Sequence, residues 1–428
     1  MAVRLAVAVA VAVVATGGMA TAYASTGGIA VRPSGALIPY DSSCSRDGVA
    51  LLAGNGRLRR YPLPGRGSRA TVASGPSGFS VAWATGGWAA SASLTRGSGF
   101  DRPVIHGPVA RYSGPEVIAH PSGERTVAWQ DGEDVRLQRV GADGSADPVL
   151  TINSAGLSSV VAAGTDGRAW LLYRSEMPAE GLFARLVSPD GTVSSAIGLY
   201  EKDPSSDVVS FGFNDAADDG RGGLFALISF DNDDSSTRDP SAGGPGTYTL
   251  RSTRLTADFR VEAQRVVRLH GGDRPDGRLA ATTSRVDAIY HAYGPSGRGV
   301  FVRRVDVAAA PARRLRRDRY LAAAAGVEHG PSPIILVERQ GEGTGTLHLQ
   351  RGADARRALR VADGGRPLRD GSTRLVHSSQ LALEGRRRAY TAWERGYDID
   401  ITDAAFARVV NGRRMTPTRP LWPCRQPR

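Results

Sequence analysis

Residues 127–144 read VAWQDGEDVRLQRVGADG: a short apolar strand that ends in an aromatic residue, a glycine turn, a second strand and another glycine turn. The same opening occurs as Val81-Ala82-Trp83 and as Leu171-Leu172-Tyr173, which spaces the aromatic residues by 46 and 44 residues. In all three copies an alanine precedes the aromatic residue by ten positions, with a glycine turn between them. No helical periodicity separates the copies. A repeat of this length, with room for four short strands, is typical of a blade of an all-β propeller.

We call the large residue that ends the second strand of each unit its anchor. Four weaker copies follow the first three, and the seven anchors are Trp83, Trp129, Tyr173, Ile228, Tyr293, Val337 and Trp393. A hairpin at 49–53 and 58–63 lies too close to Trp83 for a full unit of its own. We therefore predict seven blades closed by N- and C-terminal strands, with this hairpin as outer strands that complete the last blade. Eight blades is the alternative. The alanine-rich stretch 321–327 fits a helical turn or a strand, and its neighbours favour the strand.

The first 24 residues have the features of a secretory signal. Arg4 gives a positive start, an apolar run of 11 residues follows at 5–15, and Ala22 and Ala24 form a small-residue cleavage site. The run is shorter than the about 20 residues that span a bilayer, and no later segment is apolar enough to do so. We predict a signal peptide at 1–24, an N-terminal segment at 25–43, one propeller domain at 44–424 and a C-terminal tail at 425–428. The mature protein is expected to be secreted.

The chain has two cysteines, Cys44 near the mature start and Cys424 near the end. Two cysteines in an exported protein favour a disulfide. A ring of blades has one weak contact, where the first blade meets the last, and a disulfide between these residues would join its two sides. The alternative is a pair of free or intermolecular thiols.

The charge is strongly positive and unevenly distributed. The formal net charge is +12, and all but one of the 54 basic residues are arginine, Lys202 being the exception. Residues 1–214 hold 18 basic and 17 acidic groups, whereas residues 251–428 hold 34 and 18. We predict one strongly positive side of the ring. The candidate polyanion contacts are Arg313, Arg314, Arg316, Arg317, Arg386, Arg387 and Arg388. The alternative is a solvated surface in which arginine is merely the commonest cation.

An acidic insertion at 231–247 is the one candidate metal site. Asp231, Asp233 and Asp234 supply the oxygen ligands that calcium prefers, although their spacing does not match a helix-loop-helix calcium site. The alternative is an exposed loop, because Ser, Gly and Pro surround the cluster. No zinc spacing and no other cofactor motif is present in the sequence. No nucleophile motif is present either, since the Gly-Pro-Ser-Gly turns lack the required spacing.

The run from Val127 to Gly132, continued by Ala142-Asp143-Gly144, resembles secreted bacterial β-propeller repeat proteins. The resemblance is architectural and implies no particular activity, since propellers serve as hydrolases, lyases and binding scaffolds. We expect a non-catalytic protein, a monomer, that binds a ligand at its axial mouth, such as a glycan or an anionic polymer at the cell surface. Export and the absence of interleaved aromatic residues argue against nucleic acid. The alternatives are a carbohydrate-active hydrolase or lyase that uses acidic residues on the propeller face, and a secreted protein–protein scaffold.

Overall fold

Eight antiparallel sheets, each made from consecutive strands, form the computed structural model of the chain. The structure describes residues 28–420 except for the segments 41–46, 77, 96, 111–113, 133, 153–158, 164–167, 176–179, 189, 191, 204, 206–207, 220, 233–246, 271–276, 283, 293–298, 318–319, 326–332, 342–343, 352–358, 364–374, 385–387, 399–400, 411–412 and 415–418. The predicted signal peptide, Cys44, Cys424, Arg386, Arg387, Asp233 and Asp234 therefore lie outside the described residues.

The first four sheets come from the N-terminal half. Blade 1 contains β1 (Ala30–Arg32), β2 (Gly35–Tyr40), β3 (Gly48–Ala53) and β4 (Leu58–Pro62). A 3₁₀ turn at Pro64–Arg66 leads to blade 2, with β5 (Ser68–Ser74), β6 (Phe79–Thr85), β7 (Trp88–Thr95), β8 (Gly99–Phe100) and β9 (Val104–Pro108). Blade 3 contains β10 (Glu116–Ala119), β11 (Arg125–Asp131), β12 (Asp134–Val140) and β13 (Leu150–Ile152). Blade 4 contains β14 (Ser159–Ala163), β15 (Ala169–Ser175), β16 (Gly181–Val187) and β17 (Ile197–Glu201).

The other four sheets follow the same order. Blade 5 contains β18 (Val208–Asp218), β19 (Leu224–Asn232), β20 (Thr247–Leu255) and β21 (Val261–His270). Blade 6 contains β22 (Gly277–Thr282), β23 (Arg285–Ala292), β24 (Gly299–Arg304) and β25 (Arg313–Arg317). Blade 7 contains β26 (Tyr320–Ala325), β27 (Ile334–Gly341), β28 (Thr344–Arg351) and β29 (Leu359–Asp363). Blade 8 contains β30 (Leu375–Glu384), β31 (Arg388–Asp398), β32 (Ile401–Val410), β33 (Arg413–Arg414) and β34 (Arg419–Pro420).

The sheets are arranged as a ring around an axis. The first strands of neighbouring sheets contact one another, including β1 with β30, so the first strand of each blade lies nearest the axis and the fourth lies at the rim. Buried apolar clusters join neighbouring second strands. The joined residues are Leu37 with Val81, Ala82 with Val127, Ala128 with Leu171, Leu172 with Ile228, Leu227 with Tyr290, Ile289 with Val337, and Tyr390 with Ile38. The β-propeller prediction is confirmed.

Burial on both faces explains the sequence of the second strands. In β11 six of the seven residues are buried, because its two faces pack on blades 2 and 4 and both need apolar side chains. In the third strand β12, partly exposed positions alternate with buried ones over most of its length, as expected for a strand nearer the rim. The alanine-rich stretch that begins at Leu321 is in the strand β26, as its neighbours indicated.

The described residues form eight sheets, which was the alternative count. All seven predicted units form blades, and the N-terminal residues form one more. The predicted completion of the last blade by the N-terminal hairpin is not found, because β1 and β2 precede the hairpin and pair with it to form a separate sheet. The hairpin supplies the third and fourth strands of this sheet. Tyr40, at the end of its second strand, lies 43 residues before Trp83, so the period extends to blade 1. The propeller accordingly begins at Ala30, before residue 44.

The anchors are buried where the structure describes their side chains. Trp83, Trp129, Tyr173, Ile228 and Val337 are each at most 3% exposed. Tyr293 lies outside the described residues, and β23 ends at Ala292. Its place is taken by Tyr290, which pairs with Phe301 and stacks on it at 5.6 Å, just as Tyr173 pairs with and stacks on Phe183 at 5.8 Å. Trp393 lies in β31, and its side chain is outside the described part.

Within the described parts of the chain, no helical segment has the length and hydrophobicity that crossing a bilayer requires.

Candidate functional site

Four of the predicted arginines share one strand at the rim of blade 6. Arg313, Arg314, Arg316 and Arg317 surround the buried Leu315 in β25, the outermost strand, which among the described strands pairs with β24 alone. Arg313 and Arg317 are exposed, and Arg314 and Arg316 are partly exposed. Partial burial of its guanidinium group lowers the pKa of Arg316. We call β25 with these four residues the arginine strand.

The arginine strand lacks counter-charges in the described part of the chain. None of its four guanidinium groups makes an ion pair with a described carboxylate. Two other arginines of the same blade are neutralised. Arg285 makes two hydrogen bonds to Asp287, at 2.6 and 2.8 Å, and Arg304 makes two to Asp306, at 2.8 and 2.7 Å. The four charges of the arginine strand are therefore available to an external anion.

The position of this strand differs from the expected axial mouth. The fourth strand of a blade lies at the rim, so the predicted arginines of blade 6 line the outside of the ring. Arg388 begins β31, the second strand of blade 8, and Arg386 and Arg387 lie outside the described residues. The structure therefore brings Arg313, Arg314, Arg316 and Arg317 together but places Arg388 two blades away.

The axial region contains a carboxyl group that was not among the candidate residues predicted from sequence. Glu116 begins β10, the innermost strand of blade 3, and is partly exposed. Burial by the surrounding protein raises the pKa of Glu116 to about 8. Its carboxyl group thus holds a proton at neutral pH, as a general acid does. The sequence signal was slight: a single acidic residue that opens the apolar strand Glu-Val-Ile-Ala.

A second inner-strand carboxylate has a structural role. Asp215 accepts hydrogen bonds from the backbone N–H groups of Ala216 at 2.9 Å and of Leu279, in blade 6, at 2.8 Å. Burial raises its pKa to about 6, and the charge of Arg278 opposes this shift. Both oxygens are used to join the inner strands of blades 5 and 6.

The calcium prediction remains untested at its centre. Asp231 lies near the end of β19, where its backbone pairs with Tyr248, while Asp233 and Asp234 lie outside the described residues. Among the described residues, no three His, Cys, Asp or Glu side chains are close enough together to hold a metal ion. The nearby Asp219 accepts hydrogen bonds from the N–H groups of Arg221 and Gly223 and so stabilises a turn.

A polar network lies inside the contact between blades 2 and 3. The Nε of Arg125 donates to Ser91 Oγ at 2.9 Å, and this hydroxyl lies 2.8 Å from Nε2 of His106. Nδ1 of His106 lies 2.6 Å from Oε1 of Gln138, whose own amide donates to the carbonyl of Asp147. Because Ser91 accepts from Arg125, its proton is free to go to Nε2, which leaves Nδ1 to donate to Gln138. Burial lowers the pKa of His106 to about 4, in agreement with a neutral ring.

This network resembles a nucleophile–base pair only in its distances. The Ser91 side chain is fully buried and its oxygen already accepts a hydrogen bond from a charged group, so no substrate reaches it. The network is a structural element of the blade contact. Trp88 follows the turn at Gly86-Gly87 and is 49% exposed.

No protein-family model and no curated protein matches the chain. Solved structures match its fold. A prolyl endopeptidase aligns over 82% of this chain and 49% of its own, with 11% identity and a TM-score of 0.49, so the chain spans about half of its length. Virginiamycin B lyase from Staphylococcus aureus aligns over 79% and 94%, with 13% identity and a TM-score of 0.41. The β-propeller domain of the Trilobed protease from Pyrococcus furiosus aligns over 84% and 99%, with 9% identity and a TM-score of 0.46. The likeness is one of fold.

Proposed function

We propose that the protein is an exported, non-catalytic β-propeller that binds an anionic polymer along the rim of blade 6. The observation that carries the proposal is the arginine strand, in which four guanidinium groups lie within five residues and have no described counter-charge. Alternate residues of a strand are about 7 Å apart, which is within the screening length of about 8 Å at physiological salt. The like charges therefore repel one another, and a bound polyanion relieves this repulsion along the whole strand.

Arginine suits this role because its planar guanidinium binds carboxylate, sulfate and phosphate groups through two parallel hydrogen bonds. Charged edge strands also protect a sheet from pairing with other chains. Such protection does not by itself require four arginines in this molecule, since the outermost strands β13 and β17 contain none. The concentration of charge on one rim strand favours a ligand.

The test is retention of the mature protein on immobilised dextran sulfate, polyphosphate, polygalacturonate and uncharged dextran, at low and at high salt. The variant changes Arg313, Arg314, Arg316 and Arg317 to Gln. The matched control removes the same four charges from exposed arginines elsewhere, namely Arg66, Arg102, Arg221 and Arg260. We expect salt-sensitive retention on the anionic matrices, at least ~10-fold weaker in the variant than in the control. Equal retention of variant and control would show that binding follows net charge alone and would refute the proposal.

A second candidate function is a carbohydrate-active hydrolase or lyase, and the observation that favours it is Glu116. A carboxyl group that stays protonated near pH 7 beside the axis can act as the acid in glycosidic bond cleavage. Incubation with the same polysaccharides, followed by analysis of released products, distinguishes the two functions. Products that disappear in Glu116→Gln support the enzyme, whereas retention without any product supports the binding protein.

A further inference from the structure

A cleft separates blades 1 and 2 at the side of the ring. Its volume is about 270 Å³, and it is lined by Leu51, Ala53, Asn55, Arg57, Arg59 and Gly97. The first five residues belong to the β3–β4 hairpin of blade 1, and Gly97 belongs to the turn between β7 and β8 of blade 2. This volume is at the lower limit of pockets for drug-sized ligands, about 300 Å³, so an occupant must be small.

The register of the hairpin explains why one wall is apolar and the other cationic. Arg59 pairs with Leu51, and the carbonyl of Arg57 accepts a hydrogen bond from the N–H of Ala53 at 2.8 Å. Opposed residues in a sheet share a face, and so do residues two apart in one strand. Leu51 packs in the cluster shared with blade 2, so its face is the one toward blade 2. Both guanidinium groups therefore stand beside buried apolar side chains on that face.

The cationic wall has no described partner. Neither Arg57 nor Arg59 uses its guanidinium in an ion pair or a side-chain hydrogen bond with a described residue, and both side chains are exposed. The hydrogen bonds of Arg57 are made by its backbone: its N–H donates to Oδ1 of Asn55 at 3.0 Å and its carbonyl accepts from Ala53, and both contacts stabilise the hairpin turn. Two like charges about 7 Å apart, each beside an apolar surface, favour an anion that lies between them.

The opposite wall leaves space for a ligand. Gly97 has a φ angle of 102°, and a Cβ at this position would meet no described atom within 4 Å. Gly97 thus borders the cleft without filling it.

We propose that this cleft binds a small amphiphilic anion, a carboxylate carried on a short aliphatic chain. The carboxylate lies between Arg57 and Arg59, and the aliphatic chain lies against Leu51 and Ala53. This site is separate from the arginine strand of blade 6, so the two proposals stand or fall independently.

The test is titration of the mature protein with hexanoate, followed by isotope-edited NMR, with hexanol and hexylamine as probes of equal chain length. We expect hexanoate to bind at least ~10-fold more tightly than either probe, with shifts confined to the two hairpin strands and the β7–β8 turn. Arg57→Gln/Arg59→Gln should weaken hexanoate binding at least ~10-fold. The control is Arg60→Gln, which removes one charge from the opposite face of β4.

Because Arg57 and Arg59 are exposed, the double variant should unfold at the wild-type temperature, which separates loss of binding from loss of fold. Arg57→Lys/Arg59→Lys keeps the charges but not the planar group and should bind with intermediate affinity. Hexanol binding as tight as hexanoate binding, unaltered hexanoate affinity in the double variant, or shifts elsewhere on the ring would each overturn the proposal. Retention of dextran sulfate by the double variant, with hexanoate binding lost, would confirm that the two sites are distinct.

Discussion

The hydroxyl oxygen of Ser91 lies 2.8 Å from Nε2 of His106, inside the contact between blades 2 and 3. The same oxygen accepts the Nε hydrogen of Arg125, so one buried hydroxyl links a neutral ring to a charged guanidinium. The donor and the acceptor of every hydrogen bond in this chain of contacts are fixed, because the carbonyl of Asp147 at its end can only accept. The contact between these two blades is therefore specified by polar geometry as well as by apolar packing.

Ser91→Ala should destabilise the protein by about 2–4 kcal/mol. The substitution leaves Nε of Arg125 and Nε2 of His106 buried without their shared partner, and each unsatisfied group costs about 1–3 kcal/mol. Chemical denaturation of the wild type and the variant measures the difference. Ser98→Ala is the matched control, because Ser98 is exposed and makes only a long 3.5 Å contact to the carbonyl of Thr95. A loss for Ser91→Ala no larger than that for Ser98→Ala would contradict the prediction.

His106 should make the protein less stable in acid. Burial lowers its pKa to about 4 in the folded protein, whereas an unfolded histidine titrates near 6.5. Between these values the unfolded chain binds a proton that the folded chain does not, so stability falls as pH falls from 6.5 to 4. The contribution lost is about 3 kcal/mol. Denaturation from pH 7 to pH 4 should show that the advantage of the wild type over His106→Gln shrinks by this amount. A constant difference would show that His106 does not titrate in this way.

Glu116 should have the opposite effect at higher pH. The folded protein holds its proton up to pH about 8, and the unfolded chain releases it near 4.5. The folded state therefore binds more protons in this window, and stability falls as pH rises through it. Glu116→Gln, which cannot ionise, should gain roughly 3 kcal/mol over the wild type between pH 5 and pH 8, after allowance for the water that reaches the side chain. Parallel stability curves for the two proteins would refute this assignment.

Gly67→Ala should destabilise blade 2 by about 2–3 kcal/mol. Gly67 has an ordinary φ of −64°, but a Cβ added there would overlap the indole ring of the anchor Trp83. The fully buried ring cannot move without disturbing the contact with blade 1. Gly86→Ala is the control, because its φ of 56° costs an L-residue only about 1 kcal/mol and its surroundings are open. Thermal unfolding of both variants measures the difference, and equal losses would argue against the steric explanation.

Cys44 and Cys424 should form a disulfide that joins the two ends of the ring. The prediction rests on the cysteine count and on the predicted export, since both residues lie outside the described part of the chain. Closing so long a loop contributes up to about 5 kcal/mol by the chain-entropy estimate. Mass spectrometry without reductant should find the two cysteine-containing peptides linked. If both thiols in the native protein react with an alkylating agent, the prediction fails.

The architecture could be predicted because burial between blades imposes an apolar pattern on a short, continuous stretch of sequence. A second strand that packs on two neighbours must be apolar throughout, and a glycine turn precedes this strand in each of the first three predicted units, so Trp83, Trp129 and Tyr173 stand out in sequence. Only the outer hairpin of blade 1 was recognised, because this hairpin by itself lies too close to Trp83 for a full unit, and the repeat of the pattern in Ala30, the turn at 33–35 and Tyr40 was missed.

The candidate sites were less predictable because they depend on positions across blades. Ser91, His106 and Arg125 come from three strands of two blades, and only the packing of the ring brings them together. Arg57 and Arg59 line a cleft because β4 pairs in register with Leu51 and because Gly97 of another blade lies opposite. For the arginine strand, sequence identified the residues, but whether they lie at the axis or the rim depends on β25 being the fourth strand of its blade.

Each sheet is built from consecutive strands, and within the described residues no strand of blade 1 pairs with a strand of blade 8. Among the described residues, blades 1 and 8 meet through side chains such as Ile38 and Tyr390. None of the described sheets therefore requires hydrogen bonds between the two ends of the chain. Circular permutants that join the natural ends through a linker and begin at a later blade should form the same eight sheets. The chain termini could thus lie between any two of the eight described blades without breaking a hydrogen-bonded sheet.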